Sequence, residues 1–140
     1  MPTVTRVNPV LEDPLLTRVP LEYEALFYPY GFPARIRSNS ARILSAAEAS
    51  YGTCRQEVDS HPVDLRVLVE PGSGPACAEL PVLQSQGNLL SLVADAENFA
   101  ALDLNGGFGS CWVTRATADE TDYFRQHFLD VMISRLLRRN

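Results

Sequence analysis

Residues Asn105-Gly106-Gly107-Phe108-Gly109-Ser110-Cys111 place three glycines directly after the apolar run Phe99 to Leu104, a composition suited to cradling a phosphate. A phosphate loop passes from a strand into a helix N-terminus, where unpaired N–H groups and the helix dipole meet the anion. Here the glycines run into Trp112, Val113 and Thr114, aromatic and β-branched residues that continue as a strand. The segment therefore reads as a hairpin turn at 105–107, with its glycines supplying positive φ angles. The second glycine-rich piece, 71–75, ends in Pro75, which breaks any helix start.

All twelve cationic side chains are arginine. Without a lysine the chain cannot complete GxxxxGK[ST] or form a Schiff base, and it is expected not to bind or hydrolyse ATP by itself. Cys54, Cys77 and Cys111 stand 23 and 34 positions apart, spacings that suit neither a disulfide framework nor a CxxC metal pair. Cys54 with His61 or His127 would be the raw material of a thiolate and base pair, but no local signature accompanies it. His127 stands three residues before Asp130 on a helical segment, the spacing of a simple surface pair. No catalytic residue, cofactor or metal ligand is assigned. The best ligand face is the alternation of Arg35 and Arg37 along a strand flanked by Tyr28, Tyr30 and Phe32, a surface suited to a small anion.

The elements that position these residues follow from periodicity. Prolines at 2, 9, 14 and 20 make residues 1–20 a proline-rich arm, and 21–140 a single domain. Residues 21–38 read as one or two strands bent at Pro29 to Pro33. Ser40 caps a helix over about 40–51 that stops at Gly52. Val63, Leu65, Val67 and Val69 alternate as a strand with one buried face. Pro75 and Pro81 make the next connection irregular, and strands near 88–94, 98–104 and 108–115 form an antiparallel meander. A helix over about 119–138 carries the stripe Phe124, Phe128, Val131, Met132 and Leu136, with acids at its start and Arg135, Arg138 and Arg139 at its end. The class is α+β: a mainly antiparallel sheet with two helices packed on it.

A net charge of −5 argues against nucleic acid or an anionic membrane as partner. No run reaches the length of a membrane span and no signal peptide is evident, so a cytoplasmic location is expected.

The stretches 28–52, 87–104 and 121–137 resemble the region that precedes the nucleotide-binding domain in bacterial HPr serine kinase/phosphatase-related proteins. The resemblance spans roughly residues 20 to 138 and rests on packing residues. In those proteins a helix like 121–138 leads into a strand and a Walker A loop, whereas this sequence stops at Asn140. The resemblance implies a non-catalytic accessory or regulatory module that contacts a kinase-like domain or another protein, and holds at most a small anionic ligand. Such a module is either a short stand-alone version or the front part of a longer polypeptide. A small Cys/His enzyme and a structural homodimer are the alternatives.

Overall fold

The computed structural model describes residues 20–70 and 79–138. The proline-rich arm apart from Pro20, the 71–75 segment, Cys77 and Arg139 lie outside the described residues. The described chain forms β1 (Tyr23–Phe27), β2 (Ala34–Ser38), α1 (Ala41–Tyr51), β3 (Val63–Glu70), β4 (Val82–Gln86), β5 (Leu89–Asp95), β6 (Asn98–Asp103) and β7 (Phe108–Thr114). After β7 come α2 (Arg115–Asp119), α3 (Thr121–Phe124), a π-helical turn (Arg125–Leu129) and α4 (Asp130–Arg138).

The seven strands lie in the order β1-β2-β3-β7-β6-β5-β4. Neighbours are antiparallel except β2 with β3 and β3 with β7. The α+β class holds, and the parallel centre has a simple origin. Helix α1 carries the chain from β2 back to the start of β3, a crossover that makes those strands parallel. The chain then re-enters from the far edge at β4, and the meander β4-β5-β6-β7 brings β7 in beside β3, running the same way.

Alternation on the central strands decides where the core lies. Ile36, Leu65, Val67, Cys111 and Val113 are sealed on one face, against Ile43 and Ala47 of α1 and against Phe124, Phe128, Met132 and Leu136 of the C-terminal helices. Ser40 Oγ caps α1 by accepting from Arg42 N at 3.2 Å, and the Gly52 N–H closes it on Glu48 O at 2.8 Å. Thr114 Oγ1 caps α2 by accepting from Thr117 N at 3.2 Å.

Three local expectations need correction. The helix expected over 119–138 is segmented, and its wide π turn places Phe128 and Leu129 both against the sheet. Two lanes at a spacing of four are thereby buried, Phe124-Phe128-Met132-Leu136 and Leu129-Ile133-Leu137, while Val131 is only half-buried. The connection after Pro81 contains β4, whose side chains are all exposed and so leave no alternation of burial to announce it. Pro81 precedes this edge strand, where a missing N–H costs nothing in the ladder. The hairpin between β6 and β7 forms as expected, but only Gly107 (φ +75) has a positive φ there. Gly106 is restricted by space, since a Cβ would meet the Phe108 ring at 2.8 Å and the Asp103 carboxylate at 3.0 Å.

Two side-chain amides, the part-buried Asn39 and the buried Asn98, fix strand ends. Asn39 Nδ2 donates to Val69 O at 2.9 Å and its Oδ1 accepts from Val69 N at 2.8 Å, extending the β2–β3 ladder by a side chain. Asn98 Oδ1 accepts from Thr114 N at 3.0 Å while its Nδ2 donates to Asp95 at 3.0 Å. Among the described residues no helix is long and apolar enough to cross a membrane.

Phe128 stacks with Phe124 at a centroid distance of 6.2 Å and is fully buried. Phe128→Ala is expected to lower unfolding free energy by about 3–5 kcal/mol, read in urea as a lower midpoint with an unchanged slope.

Candidate functional site

With the described helices on one face of the sheet, the side chains on the other form three rows set by strand register. One row runs Leu89, Asp103, Phe108, Asp64, Arg35; the next runs Ser91, Ala101, Ser110, Arg66, Arg37; the third runs Val93, Phe99, Trp112, Leu68. Strand β4 prolongs them with Gln86, Gln84 and Val82. Small residues in the middle row between bulky ones on either side make a trough across the strands. Its volume is about 990 Å³, with Ser91, Ala101 and Ser110 as floor, Leu89 and Phe108 as one wall and Trp112 as the other. Across β5, β6 and β7 the floor is about 10 Å long, twice the strand spacing.

The walls are built for contact. Leu89 is 60% exposed and Phe108 49%. Trp112 is braced by Phe99, stacked at 5.0 Å with 23° between ring planes. The trough ends at Arg66, whose Nη2 donates to Ser110 Oγ at 3.0 Å. That bond aims the guanidinium along the floor and leaves its other donors for a ligand. Asp103 stands between Leu89 and Phe108 in the first row, with Oδ1 tied to Gly106 N at 2.9 Å, and Gln84 of β4 borders the end opposite Arg66.

The sequence singles out Arg35 and Arg37, and the structure places both on this face beside Arg66. Asp64 sits between them, 3.7 Å from Arg35 and 3.2 Å from Arg37, and Glu24 lies 3.5 Å from Arg35. Three arginines against these two carboxylates leave one positive charge on an otherwise acidic protein. Among the described residues Arg66 is the arginine of this group with no carboxylate partner in an ion pair, and Arg37 Nε is buried without an acceptor. Both facts favour an anion at this end of the trough.

Tyr30 is not part of that face. Tyr28 is half-buried ahead of a 3₁₀ turn (Pro29–Gly31), accepting from Gly31 N at 2.9 Å through its carbonyl. Tyr30 has φ +55 and its hydroxyl donates to Asp130 of α4 at 3.4 Å, on the helix side. Asp130 also accepts from Tyr51 at 2.9 Å, and His127 packs on Tyr123 at 5.0 Å. The expected surface pair of His127 and Asp130 is thus replaced by tyrosine contacts on both. Cys54 borders the same cleft, of about 430 Å³, with Ser50 and Arg125. Cys111 lies in the core of β7, where burial pushes its thiol well above the usual range and keeps it a poor nucleophile. His61 lies beside Arg37 and Arg66, away from the Cys54 cleft.

Sequence reasoning missed Arg66, Trp112 and the trough. The only local signal was the polar position of Arg66 in an alternating strand; Ser91, Ala101 and Ser110 become neighbours only once strand order is known. No protein-family model, curated protein or solved structure matches the chain.

The Tyr51 phenol is raised above its ordinary pKa, first by burial, then by its hydrogen bond to Asp130 and the charge of that carboxylate. The unfolded phenol ionises near pH 10 while the folded one stays neutral. This contribution to stability is therefore complete below about pH 10 and is lost as pH rises above it, at about 1.4 kcal/mol per pH unit. Denaturant titrations between about pH 9 and 11 should show a shallower decline for Tyr51→Phe than for the parent chain.

Proposed function

We propose that this chain is a non-catalytic binding module whose open sheet face holds an elongated ligand, apolar along its body and anionic at one end. The observation that carries this reading is the trough ending at Arg66. Its walls offer aromatic and aliphatic contact, its floor offers small polar and apolar groups, and its end offers a guanidinium prepared by Ser110 to take a carboxylate or phosphate oxygen. Arg37 Nε, a buried donor in want of an acceptor, lies one strand further along the same row.

The wider role is that of an accessory or regulatory domain of the kind that precedes the kinase domain in HPr serine kinase/phosphatase-related proteins. The resemblance in residues 28–52, 87–104 and 121–137 supports that role, and the trough gives it a means, since a ligand or protein segment held there would report to a neighbouring domain. A cytoplasmic setting and a kinase-like partner belong to this proposal.

Trp112 is the single tryptophan of the chain and forms a wall of the trough, so its fluorescence reads occupancy directly. Titration with 3-phenylpropionate is expected to change the emission saturably, and 3-phenylpropionamide, which lacks the charge, to bind about tenfold more weakly. Arg66→Gln should reduce carboxylate affinity to that of the amide while leaving amide binding in place. Emission that never saturates, or an Arg66→Gln protein that still prefers the carboxylate, would contradict the reading.

A further inference from the structure

We propose that the outer edge of β4 pairs with the same edge of a second copy, antiparallel about a two-fold axis at Gln84, joining two seven-stranded sheets into one. The two borders of the sheet differ in a way that points to this. Strand β1 is guarded by Glu22 and Glu24, charges that discourage another strand. Strand β4, Val82-Leu83-Gln84-Ser85-Gln86, carries no charge, and every residue in it is exposed. Val82 is 58% exposed and Leu83 38%, so the border is both open and partly apolar.

Register supplies the geometry. Gln86 pairs with Leu89 across the two-residue turn Gly87-Asn88, with Gly87 at φ +63. In such a hairpin the residues flanking the turn form a hydrogen-bonded pair, and hydrogen-bonded pairs then recur at every second residue. Gln86, Gln84 and Val82 therefore direct their backbone groups inward to β5, and Leu83 and Ser85 direct theirs outward. A two-fold axis at Gln84 sets Leu83 against Ser85 of the partner subunit, and Ser85 against the partner's Leu83. Each such pair exchanges two bonds, so four N–H···O bonds form. This register overlaps β4 along its whole length. Centring on Leu83 instead would set Ser85 against the partner's Pro81, which has no N–H to return.

At the axis the two Gln84 side chains face each other in a non-hydrogen-bonded pair, the closer kind, within reach of an amide–amide hydrogen bond on the open face. Pairing uses the unguarded border of each copy and, among the described strands, leaves the acidic β1 borders outside, so the assembly closes at two subunits. Five residues a side bury less than a standard interface, which makes the dimer reversible and dependent on concentration. Gln84 also borders the trough, so pairing sets two troughs end to end with an Arg66 at each outer end. The proposal stands whether or not the trough binds an anion.

Sedimentation velocity on the full chain, from about 10 µM to about 1 mM, tests it within the affinity range of a small interface. The parent chain is expected to pass from monomer to dimer. Gln84→Glu and Gln84→Lys should each weaken association at least about tenfold by setting like charges face to face, and their equimolar mixture should recover a heterodimer. Ser85→Pro removes an outward N–H that β5 does not use; it should abolish pairing while circular dichroism stays that of the parent. A parent chain that is monomeric throughout would overturn the proposal. So would a dimer indifferent to all three variants, or charge variants that fail to recover in the mixture.

Discussion

The alternation of Val63, Leu65, Val67 and Val69 against Asp64 and Arg66 in β3 determines which side of the sheet is dry. Strand β3 has a parallel neighbour on each side, and one of those links has to climb over the sheet. Helix α1 makes that climb on the valine and leucine side, and the C-terminal helices settle beside it because Phe124, Phe128, Met132 and Leu136 need the same apolar surface. The other parallel link is made within the plane of the sheet by the β4 to β7 meander beyond residues 71–78. The described helices thus all lie over one face, and the side chains opposite are arranged by strand register alone.

Charge on that second face is partitioned in the same way. Asp64 alternates with Arg66 along β3 and lies across from Arg35 on β2, so register gives its carboxylate to Arg35 and Arg37. Arg66 points instead toward β7, where Ser110 accepts from it. Asp64 of β3 and Glu24 of β1 thereby offset Arg35 and Arg37, and β3 presents a third arginine. The trough beyond Arg66 exists because Ser91, Ala101 and Ser110 are small and fall in one row, flanked by rows containing Leu89, Phe108 and Trp112. A large residue at Ala101 would fill it.

Much of the layer order was legible in the chain. Ser40 and Gly52 bracket α1, the valines of β3 announce a strand buried on one face, and the β5 to β7 meander follows from its turn residues. What stayed hidden had physical reasons. Strand β4 has no buried side to impose a pattern, and the π turn at Arg125–Leu129 is a local widening that admits Leu129 and Ile133 to a stripe already sufficient without them. Asn39 and Asn98 act as strand-end clamps through bonds to residues 30 and 16 positions away, beyond any local rule. Arg35 and Arg37 were readable as a polar strand face. Their companion Arg66 was not, because its place beside them depends on β2 and β3 running parallel.

If the open sheet face is the working surface, a ligand must be felt there and nowhere else. The most direct measurement is a ¹⁵N-resolved NMR titration of the full chain with 3-phenylpropionate. The expected result is a saturable shift of the Ser91, Ala101 and Ser110 amides and of the Trp112 indole N–H, with Arg66 moving alongside them and α1 and α4 unmoved. Shifts confined to the cleft of Tyr30, Tyr51, Cys54 and Asp130, or none at all on β5, β6 and β7, would contradict it.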